Sequence, residues 1–222
     1  MKVLVAIPCM DMMHSLFVKS LLGLKRVGEM QFAFSASSLV YDSRNGLSKK
    51  AISEGFDYVL WLDSDMEFPS DLLERLMEDM KEGREYVSGL YFKRKAPVAP
   101  VVYEKVGYYH QGDEVTPCAV PFLKYPWGVF EVEGTGFGAV LISVDALKKV
   151  VDKYGAPFSP ILGFGEDLSF CMRAKEVGIK MYCDSTVHIG HVGFKTYTEE
   201  DYMLDEVNRD AGESKECPAD NY

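Results

Sequence analysis

The stretch that most constrains this chain is Tyr58-Val59-Leu60-Trp61-Leu62, followed at once by Asp63-Ser64-Asp65. A short continuous apolar run bounded by acids reads as a strand buried on both faces, as in the middle of a parallel sheet. Asp63 and Asp65 stand two apart, so at a strand end they point the same way, or converge if the chain turns at Ser64. In an open α/β sheet the carboxyl ends of the strands are where ligands sit. Two carboxylates there repel each other unless positive charge lies between them. A divalent cation with oxygen ligands meets that need, and it can hold a phosphate on its far side. The plain alternative is a solvated loop after a strand; the flanking pattern is what argues against it.

That pattern repeats. Val3 to Ile7 reads as a first buried strand, and Leu16 to Lys25 has helical apolar spacing. Gln31 to Ser37 alternates as a second strand, and Ser43 to Ser53 reads as a helix. After the acids, Pro69-Ser70-Asp71 opens a helix whose buried face is Leu72, Leu73, Leu76, Met77 and Met80, closed by Gly83. Strand and helix thus alternate three times in 83 residues, the pattern of a doubly wound, nucleotide-binding half-domain. Pro8-Cys9-Met10-Asp11 stands where a glycine-rich turn would be, which excludes ordinary nicotinamide and flavin enzymes.

The second half differs. Tyr86–Phe92, Val98–Tyr103, Phe137–Val144 and Ile179–Cys183 read as strands. The stretch from Gly107 to Trp127, rich in turn residues and aromatics, reads as an irregular, partly β substrate wall. Helices are expected over Asp145–Tyr154, with Asp145 capping, over Asp167–Val177, and over Thr198–Arg209. The segment Ala211–Tyr222 has the composition of a disordered end.

Charge sharpens the class. The net charge is −10, but from Glu199 onward there are nine acids against two bases, so the body carries only −3. A nearly balanced body with an acidic end argues against general nucleic-acid binding, which needs basic surface. Five cysteines without a Cys-x-x-Cys pair suggest free thiols in a reducing compartment. No apolar run approaches the roughly 18 residues of a membrane helix, and Val3–Ile7 is too short for a signal peptide. A cytoplasmic protein is expected.

Three further constellations carry chemistry. In Asp42-Ser43-Arg44-Asn45, Arg44 can pin a phosphate or carboxylate and Asn45 can read a base or ribose; a local ion pair in a first helical turn is the alternative. Gly163-Phe164-Gly165-Glu166-Asp167 sets two acids at a helix start, where one carboxylate can take a proton from an attacking hydroxyl, or both can simply cap. Asp184 to Gly193 holds His188 and His191. Three apart on an extended segment, they face opposite sides, so one at most joins a metal beside two carboxylates. Gly134-Thr135-Gly136-Phe137-Gly138 precedes a strand, not a helix, so its glycines permit close approach of a sugar or backbone rather than cradling a dinucleotide. Tyr108, Tyr109, Trp127 and Phe164 are open to sugar stacking or to core packing.

Taken in order, Asp42-Ser43-Arg44-Asn45, then Tyr58 to Asp65, then Gly165-Glu166-Asp167-Leu168-Ser169-Phe170-Cys171-Met172-Arg173-Ala174 resemble the GT-A fold glycosyltransferases, in particular the family-2-like ones. The resemblance covers about residues 1 to 195. It implies an α/β, Rossmann-like mixed sheet flanked by helices: one catalytic domain over 1–198, with a nucleotide-sugar half (1–95) and an acceptor and metal half (96–198), then an acidic helix and flexible tail (199–222). It implies Mn²⁺ or Mg²⁺ held by Asp65, Asp63 and His191, with His188 as second choice. Pro8, Asp42, Arg44, Asn45, Asp63 and Ser64 would line the site of a UDP- or GDP-linked sugar. Asp167 would be the base and Glu166 its support. The acceptor would be a glycan, lipid-linked or small-molecule hydroxyl, and the transfer inverting. Asp11 is the nearest base-reading candidate, and the Gln/Arg-x-x-Arg-Trp helix of processive polysaccharide synthases is absent. Two rivals are a phosphohydrolase with Asp63 as nucleophile and a non-catalytic nucleotide-sugar-binding module.

Overall fold

Side chains alternate across a strand, and along the first strand they enter two different cores. The structure, a computed structural model, describes residues 1–112, 114–193 and 196–209. The first half runs β1 (Lys2–Cys9), α1 (Ser15–Gly23), β2 (Glu29–Ala36), α2 (Val40–Ser53), β3 (Tyr58–Leu62), β4 (Met66–Glu67), α3 (Leu72–Met80) and β5 (Tyr86–Leu90). The second runs β6 (Val102–Gln111), β7 (Glu114–Pro121), β8 (Val129–Val132), β9 (Gly134–Thr135), β10 (Ala139–Ser143), α4 (Val144–Tyr154), α5 (Glu166–Glu176), β11 (Met181–His188), β12 (Gly190–Val192), β13 (Thr196–Tyr197) and α6 (Glu199–Arg209).

Seven strands form the main sheet in the order β2-β1-β3-β10-β5-β11-β8. β1 is parallel to β2 and β3, and β11 to β5, while β10 runs antiparallel between β3 and β5. Leu4, Ala6, Val59 and Trp61 pack on the face covered by α2, α4 and α5. Val3, Val5, Ile7, Leu60 and Leu62 pack on the face covered by α1 and α3. All nine are fully buried. That is why β1 and β3 read as unbroken apolar runs, and each of their buried Val, Leu and Ile side chains contributes roughly 1.5–3 kcal/mol. Two three-stranded sheets flank this layer: β13-β12-β4 and β7-β6-β9.

Several expectations shift. The stretch expected to be irregular and partly β is more regular than that, holding the long β6–β7 hairpin, paired from Tyr103↔Pro121 to Gln111↔Glu114. Its strands, mixed in polarity and only partly buried, lack the one-sided apolar alternation that signals a strand. The cap of α4 is Ser143, whose Oγ accepts from the Ala146 N–H at 3.2 Å; Asp145 sits one residue inside the helix. α2 starts at Val40, upstream of Ser43. Cys118 is disulfide-bonded, while Cys9, Cys171 and Cys183 are free. The reading of five free thiols therefore fails, because an odd count and wide spacing do not reveal which cysteines meet. With it goes the support that free thiols lent to a reducing compartment. No helix among the described residues is long and apolar enough to cross a membrane. The expected disorder of Ala211–Tyr222 lies outside the described residues.

Candidate active site

A cleft of about 680 Å³ opens where the chain leaves the carboxyl ends of β1 and β3. Pro8 and Cys9 wall it at the end of β1, and the Asp63–Asp65 turn walls it at the end of β3. The turn is closed by the Met66 N–H donating to Asp63 O at 3.2 Å. It is tied down from outside by the His14 N–H on Ser64 O, 3.1 Å, and the Val192 N–H on Asp65 O, 2.8 Å.

The chain does turn at Ser64, but the two carboxylates do not converge on one point. Each has its own arginine. Arg44 Nη2 donates to Asp63 Oδ1 at 2.7 Å, and its Nε reaches Glu166 Oε1 at 3.4 Å. Arg44 is 2% exposed, with the Trp61, Phe137 and Phe158 rings 5.8, 5.2 and 5.9 Å from its guanidinium. Burial pushes the Asp63 carboxyl up, and Arg44 offsets this only in part. Burial also opposes the charge on Arg44, but Asp63 and Glu166 outweigh it and raise its pKa.

Asp65 faces the other way. Its Oδ2 lies 2.8 Å from Arg94 Nη1 and 3.5 Å from His191 Nε2. Burial works against the Asp65 anion, yet His191, when its Nε2 carries a proton, and Arg94 outweigh burial and hold its carboxyl below the usual range. β12 sets His191 opposite Met66 of β4, beside the turn. His191 Nδ1 lies 2.8 Å from Phe92 O, which can only accept, so Nδ1 carries hydrogen. In the neutral ring Nε2 then presents a lone pair towards the Asp65 anion. Two acceptors so placed fit a cation between them, with the backbone carbonyl fixing the imidazole from behind. His188 points elsewhere, to Glu199 at 3.2 Å.

The donor set therefore fits a divalent cation through Asp65 and His191, with room for ligand and water oxygens. It does not include Asp63 as expected. Arg44 holds that carboxylate, and among the described residues no cluster of three His, Cys, Asp or Glu forms a metal site.

Asp167 enters the cleft from the first turn of α5. One oxygen accepts from the Leu168 N–H at 2.7 Å. Burial, then Glu166, push its carboxyl up to about 6. Asp42 and Asn45 do not line the cleft. Because α2 begins at Val40, both sit on helix, where neighbours point about 100° apart. Asp42 is exposed, and Asn45 Oδ1 accepts from the Phe158 N–H at 2.9 Å. Ser64 does line it.

The aromatics of the cleft are Tyr91 and Tyr103, which sequence reasoning missed, along with Lys93 and Arg94. Tyr91 packs edge-on against His191 at 5.5 Å and accepts from the Gly138 N–H at 3.2 Å. A Cβ at Gly136 would collide with the Tyr91 hydroxyl, and one at Gly138 with Met66. These glycines make room for side chains of the protein, not for a sugar. Trp127 is 78% exposed, and Tyr108 donates to Leu162 O at 2.7 Å while packing on buried Phe164. None of the three lines the cleft, nor does Tyr109. A second groove, of about 700 Å³, includes Glu67, His188 and Glu199. There Glu199 is already engaged by His188 and by the Tyr125 hydroxyl.

No family model and no curated protein matches the chain. Solved structures do. The crystal structure of A197 from STIV superposes with a TM-score of 0.63 at 21% identity, covering 87% of this chain and 86% of that one. GalNAc-T7, in a crystal structure with UDP, GalNAc and Mn²⁺, superposes at 0.59 with 11% identity, covering 92% of this chain and 47% of that one. The chain thus spans about half the length of GalNAc-T7. At these identities the likeness establishes the fold, an α/β GT-A type with a mixed sheet flanked by helices. With 259 solved chains matching, the fold is common, and function has to be argued from the site.

Proposed function

We propose that this chain is a metal-dependent glycosyltransferase of the family-2-like kind. It would move a sugar from a nucleoside-diphosphate donor to an acceptor hydroxyl with inversion. The observation that carries this reading is the pairing of Asp65 with the oriented His191 in the cleft that also receives Asp167. The GalNAc-T7 structure with UDP and Mn²⁺ supports the same substrate class.

Asp65 and His191 would hold Mn²⁺ or Mg²⁺, which when bound neutralises the leaving diphosphate. Pro8 and Ser64 border the space for the nucleotide. Arg44 acts indirectly, keeping Asp63 and Glu166 in place. Asp167 takes the proton of the acceptor hydroxyl as its oxygen attacks the anomeric carbon and the bond to the diphosphate oxygen breaks. A carboxyl near 6 is ionised at neutral pH yet basic enough to assist. The phosphohydrolase reading loses ground, because Asp63, its nucleophile, is bound by a buried arginine.

The test is a thermal-shift panel of UDP, GDP, CDP and ADP, each with Mn²⁺ or EDTA, repeated on Asp65→Asn. A ligand at a hundred times its Kd adds about 2.7 kcal/mol. One nucleotide should raise Tm with Mn²⁺, lose that rise in EDTA and in Asp65→Asn, and name the donor whose hydrolysis or transfer is then assayed. Equal nucleotide response and turnover in Asp65→Asn would refute the metal assignment.

A further inference from the structure

Asp65 is already neutralised, and by a side chain able to leave. Arg94 Nη1 holds Asp65 Oδ2 at 2.8 Å and donates to Val192 O at 3.0 Å. The same carboxylate oxygen is the one His191 Nε2 faces. Arg94 lies in the connection from β5 to β6, between Lys93 and Lys95, and is 45% exposed. An ion pair that open is weak, and the long stem lets the head swing into water at little cost. A guanidinium 2.8 Å from this oxygen and a divalent cation bound to it would repel each other at close range. Arg94 thus stands on half of the two-residue donor set.

We propose that Arg94 is a displaceable counter-ion of Asp65, which a divalent cation must evict before it binds. This rests on the reading of Asp65 and His191 as the metal-holding pair. Arg94 sets a threshold: with the cleft empty it keeps the Asp65 carboxylate neutralised and lowers the affinity for free cation. Arg44, buried and braced by three rings, has no such freedom.

Calorimetric titration of Mn²⁺ alone into wild type, Arg94→Gln, Arg94→Lys and Asp65→Asn tests the proposal. Arg94→Gln should bind Mn²⁺ roughly fivefold tighter than wild type, the scale of an exposed ion pair. Arg94→Lys, which keeps the charge, should stay near wild type. The gap between wild type and Arg94→Gln should narrow in high salt, which screens exposed pairs. Equal or weaker Mn²⁺ binding in Arg94→Gln, with Asp65→Asn still impaired, would overturn the counter-ion role and leave the metal site standing. Asp65→Asn binding Mn²⁺ like wild type would remove the metal pair and the counter-ion role together.

Discussion

Arg44 and Arg94 each neutralise one carboxylate of the same turn, at the same short range, in opposite surroundings. Arg44 is closed in by Trp61, Phe137 and Phe158, with Nη1 buried without a hydrogen-bond partner among the described residues, while Asp63 opens on the cleft. Arg94–Asp65 lies at the cleft mouth with the guanidinium half in water. The distances barely distinguish them, nor does the exposure of the two carboxylates; the burial of the arginine does. Removing one partner of a buried pair strands the other charge away from water, whereas water replaces a lost partner at the surface. One arginine is therefore part of the framework and the other is exchangeable.

The sharpest way to break this contrast is Arg44→Ala. It should cost about 3–5 kcal/mol and lower Tm by on the order of 10 °C, measured by thermal and urea melts. A loss no larger than that of an exposed pair would erase the distinction. Next is Asp167→Asn. Transfer should fall by roughly 10²–10⁴-fold while nucleotide binding persists, and at pH 7 the variant should be more stable by on the order of 2 kcal/mol. The sign follows from the raised carboxyl: the folded wild type takes up a proton more readily than the unfolded chain between its ordinary value of 3.8 and about 6. Wild-type stability therefore falls as pH rises through that window, and the advantage of Asn develops across it and is flat above it. Wild-type transfer should rise with pH through about 6, and that rise should be missing from any residual activity of the variant. Arg94→Gln should change stability by less than about 1 kcal/mol. Smallest of all, His188→Ala should leave Mn²⁺ affinity unchanged, since His188 pairs with Glu199, while His191→Ala lowers it.

Much of the fold was legible because its signals are local. β1 and β3 announce themselves as apolar runs, α3 by its spacing and leading Pro69, and α5 by two acids after Gly165. The carboxylates were found because β3 stops abruptly at Asp63, and the periodicity of an extended segment separated His188 from His191. What stayed hidden is what distant parts of the chain bring. Arg94 sits in an aperiodic connection, and Tyr91 and Tyr103 reach the cleft only through pairing far along the sequence. Arg44 was visible as a charge, but its partner was taken for a ligand and proved to be Asp63. Asp42 and Asn45 were misplaced because a helix starting three residues early turns neighbours away from one another.

β10 lies between β3 and β5, yet its residues, 139–143, follow both by dozens of positions. During synthesis β2-β1-β3 and β5 therefore emerge with no strand between them. β3 shows a bare hydrogen-bonding edge, the kind that recruits foreign strands, until the late strand slots in. The ligand-bearing turn at the end of β3 is thus completed late, by partners far along the chain: Asp63 donates its N–H to Gly138 O, just before β10, and Asp65 O accepts from the Val192 N–H of β12. A ribosome-stalled chain ending before residue 139 should be sticky and chaperone-bound, and competence for ligand should wait until α5 and β12 have brought Asp167 and His191.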